Sequence, residues 1–440
     1  MTIAKLRLGF QGLSFLDAVS ARPERSVRLT RAPAPHLLVW APDDLAELFR
    51  SERDMYLKPS DTLRPLVGPT SVLFANGTRH DAYRQVIGPA LRGRRLARHI
   101  PAIRTIAEQA GDELAGRASF VVPEWARRVT LRVIGHILLG DGNSAVLGRV
   151  GDLVEQILGS PWRTVRHRYL RPPAPVPSRW GAFLRDRDAL GEELTGLCPR
   201  PASDARVPAP GPVRDVPSLA AELASGEPPL GPLGGDEFAD QLISLIFAGH
   251  ETTASAIAWT LYWLAAHDGV RANLGAELAA CSSDGSSAAD LPLLDAVCRE
   301  SLRITPPAVL AGNRTLTTDR ELLGRGWSRG TTLTPCVYAA HRQPDLYPGP
   351  ERFDPGRFLG RKWPGQHYLP FGGGTRRCLG ADLALLEMRM VVAAVLRRVE
   401  LGRPGPRDGV PHRRGPAMGP PPALTLALGP HPRPRPRPCP

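Results

Sequence analysis

The sequence predicts a mainly α protein with a small β portion. Helical periodicity of apolar residues accounts for most of the chain between 78 and 399. Strand-like alternation is confined to short runs at 26–40 and ahead of Tyr338. The stretch Glu237 to His267 is apolar nearly all round and reads as one long helix through a core.

In chain order, Ser26 to Trp40 alternates as a hairpin whose second strand is His36 to Trp40, and Pro42-Asp43-Asp44 starts a short helix. The helical pattern from Thr78 to Asp141 breaks near Gly93 and Pro123. Helices are expected at 144–160 and 180–197, joined by the proline-rich Pro172 to Pro177. Pro199 to Pro232, rich in Pro, Ser and Gly, reads as a mobile connection. For the long helix Asp236 is the candidate N-cap and Asp268-Gly269 the stop. Its thirty-odd residues span roughly 45 Å, and His250 and Glu251 in the middle argue against a membrane span. A helix from Leu291 to Ile304 ends at Pro306-Pro307, short strands follow to Tyr338, and His341 to Trp363 is loop-rich. The last helix is expected from Cys378 to Val399. A tail, 429–440, closes on an Arg-Pro alternation that cannot pack and is expected to be disordered.

Composition (42% hydrophobic, 22% charged) is that of an ordinary globular chain with a large core, and 440 residues permit one large domain or several. A net charge of +13 invites a nucleic-acid or anionic-membrane partner. Against that, lysine occurs only three times, and the arginines are scattered among acidic residues. A basic face for an acidic protein partner fits better than a nucleic-acid footprint. The six cysteines form no C-x-x-C pair and imply no disulfide framework, which fits a reducing cytoplasm. Met1 to Phe15 lacks an apolar stretch long enough for a signal peptide or anchor, so a soluble protein is expected.

The most specific segment is Phe371-Gly372-Gly373-Gly374-Thr375-Arg376-Arg377-Cys378-Leu379-Gly380. Three glycines let a backbone approach a flat surface closely. A cysteine opening a helix meets unpaired N–H groups and the positive dipole end, both of which favour thiolate, the metal-binding form. Arg376 can meet an anionic group beside that ligand. A phosphate loop is excluded, because no G-K-[ST] follows the glycines. A buried, inert cysteine after a glycine turn is the plainer reading of a lone thiol.

With every fixed position filled, this segment resembles the F-x-x-G-x-R-x-C-x-G signature of the cytochrome P450 family. The resemblance implies a haem b whose iron is held by Cys378, in a loop formed by Phe371, Gly372, Gly374, Arg376 and Gly380. In that family the thiolate pushes electron density to iron and favours O–O cleavage. Ala248-Gly249-His250-Glu251-Thr252-Thr253 is similar to the family's oxygen-activating A-G-x-[DE]-T. Its chemistry is also sensible by itself. Thr252 offers a hydroxyl to the oxygen being activated, Glu251 relays protons from solvent, and Gly249 leaves room for oxygen. The plainer alternative bonds Thr252 back to the carbonyl of Ala248. Alanine at position 254 excludes a metalloprotease motif.

Further matches extend from about Leu13 to Leu428. Glu300-Ser301-Leu302-Arg303 resembles the family's E-x-x-R, one helical turn apart. Its third partner is assigned to Arg357, in Phe353-Asp354-Pro355-Gly356-Arg357-Phe358, where Gly356 replaces the usual glutamate. His80 and Arg84 match H-x-x-x-R, and with Arg314 and Arg376 they are expected to hold the haem propionates. Phe247, Ala248, Val309, Leu310 and Met418 fall at positions that line the family's substrate pocket.

The resemblance implies the cytochrome P450 fold in one domain, 1–428, with the turn at 172–177 in the lid over the substrate channel. It also implies a monomeric monooxygenase that inserts one oxygen atom from O2 into an apolar small molecule, a secondary metabolite, by hydroxylation or epoxidation. A separate ferredoxin or flavodoxin with its reductase would supply electrons, near Arg376, Arg377, Arg397 and Arg398. Peroxide-driven oxidation, desaturation or oxidative coupling remain open on the same fold. So does a non-enzymatic haem sensor or carrier.

Overall fold

The long helix does run through the middle of the molecule, and the other elements are placed by what they bury against it. The computed structural model describes residues 12–21, 24–30, 34–58, 64–140, 147–149, 151–152, 179–196, 218–281, 291–414 and 417–430. The helices are α1 (Leu13–Ser20), α2 (Pro42–Ser51), α3 (Arg64–Val67), α4 (Gly77–Ala90), α5 (Gly93–Asp112), α6 (Val122–Leu139), α7 (Arg179–Gly196), α8 (Leu219–Ala224), α9 (Gly235–Ala266), α10 (Asp268–Ala280), α11 (Pro292–Ile304), α12 (Val337–Ala340) and α13 (Ala381–Leu396). The strands are β1 (Ser26–Thr30), β2 (His36–Val39), β3 (Met55–Lys58), β4 (Ser119–Val121), β5 (Asn313–Leu316), β6 (Arg320–Leu322), β7 (Arg325–Trp327), β8 (Thr332–Pro335), β9 (Val399–Leu401), β10 (His412–Arg414), β11 (Ala417–Gly419) and β12 (Thr425–Pro430).

Helix α9 is 32 residues long and packs against α4, α6, α7, α11 and α13. From Phe238 to Leu261 it is buried at every position except Ala248, Gly249 and Thr252. Apolar residues all round the helix are what such a central position requires. Its core partners include Trp125, Ile134, Val391 and Leu302. A second core lies under the five-stranded sheet β1-β2-β8-β5-β3, where Leu38, Val39, Leu333 and Met55 meet. In that sheet β1 and β2 are antiparallel neighbours, as the hairpin pattern predicts, and β2–β8 is a parallel pair. Among the described residues no helix is long and apolar enough to cross a membrane.

Several boundaries differ from the sequence reading. Gly234 occupies the N-cap of α9, and Asp236 and Glu237 sit in its first turn, where carboxylates favour the positive end of the dipole. At the other end His267 leaves the helix, and Asp268 opens α10 instead of only ending α9. Within the segment read as a connection, Ser218 accepts a hydrogen bond from the Ala221 N–H and caps a short helix, α8. Strand β12 carries the fold to Pro430, which pairs with Val399, two residues into the expected tail. The expected features at 153–178, including Pro172 to Pro177, and at 431–440 lie outside the described residues.

Candidate active site

The loop before α13 is closed by its own backbone and held from outside. The Cys378 N–H donates to the Phe371 carbonyl at 2.9 Å, and Arg377 N–H to Gly374 O at 3.1 Å, around a single 3-10 turn, Gly374–Arg376. Gly372 and Gly374 both have φ of +68°, a region that costs L-residues a steric penalty. Two of the glycines make room for neighbouring side chains. A Cβ on Gly373 would fall on the Phe49 ring, and one on Gly374 on the Glu52 carboxylate. The loop is pressed against the end of α2 and the turn after it.

Cys378 does not open the helix. Gly380 is the N-cap of α13, which begins at Ala381. The expected dipole effect is correspondingly outweighed. Burial pushes the Cys378 thiol up, while the Gly380 backbone N–H, Arg377 and Arg84 pull it down. Yet the residue is exposed. The thiol is accessible, with Arg377 and Arg84 beside it.

Four basic residues gather beside this loop. Arg84 Nη1 donates to the Arg377 carbonyl at 2.9 Å. Arg376 donates to the carbonyls of Val72 (3.3 Å) and Ala75 and to Asn76 Oδ1 (3.2 Å), and its buried Nε has no partner. Arg314 donates to Glu52 and to the carbonyls of Gly312 and Gly373 (3.0 Å). His80 is buried with Nδ1 3.3 Å from Asp81 Oδ1. Burial, then Arg376 and Arg84, push His80 down to about 4, so it is neutral at pH 7. Burial, then Arg314 and Arg84, push Arg376 down to about 10. Positive groups that depress one another in this way outnumber the carboxylates beside them, Glu52 and Asp81. An accessible cysteine beside a donor-rich cluster with one orphaned guanidinium N–H fits a haem with its two carboxylates.

On α9, Ala248 is exposed and Gly249 and Thr252 are half-buried, so the helix surface opens there alone along its central stretch. Because α9 packs on α13, which follows Cys378, the opening and the thiol lie on neighbouring elements. Thr252 Oγ1 donates to the Ala248 carbonyl at 2.6 Å, a bond within the helix itself. Gly249 also leaves room for a neighbouring helix: a Cβ there would lie 3.0 Å from Ile134 of α6. Glu251 is buried and lines a small pocket with Arg127, Ser255, His412 and Pro422. His412 and Pro422 are exposed, so this pocket reaches the surface.

Of the expected pocket residues, Val309, Leu310 and Met418 meet in the second core, with Met418 fully packed there. Ala248 is on the accessible face of α9, whereas Phe247 is buried in the helical core and does not share that face. Glu300 and Arg303 form a fully buried pair at 2.7 and 2.9 Å, with Arg357 Nε 3.5 Å from Glu300.

Sequence reasoning missed two supports of the loop. His341, pushed down to about 3 by burial and Arg303, is a neutral imidazole. Its Nε2 accepts the Leu369 N–H at 2.9 Å, two residues before Phe371. Its Nδ1 lies 3.2 Å from the Arg303 carbonyl, the only tautomer that fits both partners. Glu52 is the other. Neither stands in a pattern that marks it, since a Ser-Glu-Arg-Asp run after a helix looks like surface charge.

Comparison with known proteins agrees with this geometry. A family model described as Cytochrome P450 matches residues 216–425. A protein of Mycobacterium tuberculosis provisionally named cytochrome P450 135B1 is 32% identical over 397 residues, covering 89% of this chain and 81% of the relative. Another from that organism, provisionally named cytochrome P450 137, is 30% identical over 362 residues, covering 79% and 72%. In overall fold the chain is similar to a retinoic-acid-bound cyanobacterial CYP120A1, with a TM-score of 0.81 and 23% identity over 97% of this chain and 96% of that one.

Proposed function

The chain belongs to the cytochrome P450 family and is a haem-thiolate monooxygenase, and from that premise we propose that Cys378 holds the iron of a haem b. The observation that carries this assignment is the position of Cys378: accessible, and bordered by the Arg84, Arg314 and Arg376 cluster. When bound, a thiolate-ligated haem supplies the activation of dioxygen.

The chain's residues bind, orient and move protons. Arg84, Arg314 and Arg376, with neutral His80, take up the two haem carboxylates. Glu251 collects protons from the pocket that reaches the surface beside His412. Thr252 turns its hydroxyl from the Ala248 carbonyl toward the reacting oxygen and positions the proton there. Ala248, Val309 and Leu310 give an apolar lining, which suits a small apolar substrate, hydroxylated or epoxidised in secondary metabolism. A ferredoxin or flavodoxin with its reductase brings electrons to the arginine-rich side of the cysteine loop, where Arg377 is exposed.

The test is spectral. Reduced protein with carbon monoxide should absorb where thiolate-ligated haem does, and Cys378→Ser should abolish that band while other cysteine substitutions leave it. An unchanged band in Cys378→Ser would sink the assignment. In the same preparation, reduction by an acidic ferredoxin should slow as salt is added. Rates indifferent to ionic strength would remove the arginine face from the proposal.

A further inference from the structure

Among the described residues, Glu52 is the one carboxylate buried among the arginines of the site. It is fully buried on the 3-10 turn that follows α2. Its Oε2 accepts from Arg314 Nε at 3.0 Å and lies 2.9 Å from Arg314 Nη2. Its Oε1 accepts the Thr375 N–H, inside the cysteine loop. Gly374 is bare where the carboxylate rests, so the loop's glycine and the glutamate are complementary shapes. Burying a carboxylate is costly, and here it meets both a guanidinium and a backbone donor.

The charge around it can be counted. Arg84, Arg314 and Arg376 carry three positive charges, and His80 is neutral at pH 7. Glu52 removes one, which leaves two. Asp81, Arg92 and Arg377 also stand nearby, but they are exposed and screened by solvent. A haem brings two carboxylates. Without Glu52 the site would carry one uncompensated buried charge.

We propose that Glu52 is an internal counter-ion of the haem site: it ties Arg314 to the cysteine loop and trims three arginines to the charge of two haem carboxylates. Glu52 thereby sets how easily the bound iron is reduced. Loss of a negative charge near the site favours the ferrous form, which carries one positive charge fewer than the ferric form. Glu52 is a positioning residue, because it touches Arg314 and the loop rather than the reacting atoms. The inference rests on the haem reading above.

The experiment uses full-length protein loaded with haem: wild type, Glu52→Gln, Arg314→Gln and the double variant. Glutamine keeps an acceptor for the Thr375 N–H and removes only the charge. The readout is the ferrous-to-ferric ratio against a one-electron mediator dye at fixed poise. Glu52→Gln should raise that ratio about three- to tenfold, Arg314→Gln should lower it, and the double variant should return to within about twofold of wild type. A purely structural role predicts instead that the double variant departs at least as far as the worse single one, and that result overturns the proposal. An unchanged ratio in Glu52→Gln overturns it too. Should Glu52→Gln fail to accumulate, Arg314→Gln and the double variant decide, because the proposal requires the double to lie closer to wild type. Wild type that takes up no haem would overturn both readings. Haem uptake with no response at Glu52 overturns this one alone.

Discussion

The cysteine loop and the Ala248–Thr252 stretch of α9 are built by different physics. The loop leans on residues far away in the chain. Glu52 and Arg314 reach it from opposite ends of the five-stranded sheet's sequence, His341 accepts the Leu369 N–H, and Arg376 is tied to the segment 72–76. The α9 stretch is shaped by its own helix, and the Thr252 hydroxyl bonds one turn back. Loop geometry is therefore a property of the whole fold, while the α9 face is a property of about two turns. Changes to the loop's supports should cost folding, and changes to the α9 face should cost chemistry.

Glu300 tests the first half of that contrast and carries the largest expected effect. Its carboxylate accepts from Arg303 twice and from the Asp354 N–H at 2.8 Å, and Arg303 in turn donates to the His341 carbonyl at 2.9 Å. His341 then holds Leu369 at the start of the loop. Removing one partner leaves a buried guanidinium uncompensated, which costs about 3–5 kcal/mol. Glu300→Ala should lower denaturant stability by that amount or fail to give folded protein. A loss below about 1 kcal/mol would mean that the loop does not depend on this network.

Thr252 tests the second half. Its bond to Ala248 lies within one helix, so Thr252→Ala should change stability by less than about 1 kcal/mol and leave haem uptake intact. Product formed per reductant consumed should nevertheless fall, because a positioned proton-transfer group is typically worth about 10²–10⁴-fold. The missing reducing equivalents should appear as hydrogen peroxide, quantified in the same assay. Wild-type coupling in Thr252→Ala would leave the hydroxyl with only the role of capping a carbonyl.

This contrast also explains what the sequence disclosed. The long helix, the β1–β2 hairpin, α11 and the cysteine loop are local patterns, and each lies within a few residues of its expected place. Glu300 and Arg303 are legible for the same reason, being one turn apart on α11. The pair Glu52 and Arg314 is as deeply buried, but its members are 262 residues apart, so nothing near either one announces the other. Misplaced caps have a similar origin. Asp236 has the right residue type for an N-cap, yet the chain turns one residue pair earlier, at Gly234. Gly249 shows the limit most sharply. A motif marks the residue, but only packing shows which neighbour requires it to be small.

Gly249 also gives the smallest and most discriminating prediction. A Cβ at this position would sit 3.0 Å from Ile134 Cδ1 and Cγ1, and Ile134 is buried on α6. Overpacking of this kind costs about 1–3 kcal/mol. Alanine recovers about 0.8–1.0 kcal/mol over glycine in a helix interior. Gly249→Ala should therefore lose no more than about 2 kcal/mol, read from the denaturation midpoint. Ile134→Val removes Cδ1, one of the two atoms that the new Cβ would meet, and leaves Cγ1 in place. In the background of Ile134→Val, Gly249→Ala should therefore cost less stability than it does in wild type, because half of the close contact is gone. Turnover per bound haem should match wild type, because the contact lies between α9 and α6. If Gly249 instead keeps room for oxygen on the cysteine side, Gly249→Ala should lose turnover with its stability nearly unchanged, and Ile134→Val should rescue nothing. That outcome would make the α9 face depend on the site rather than on its neighbour helix.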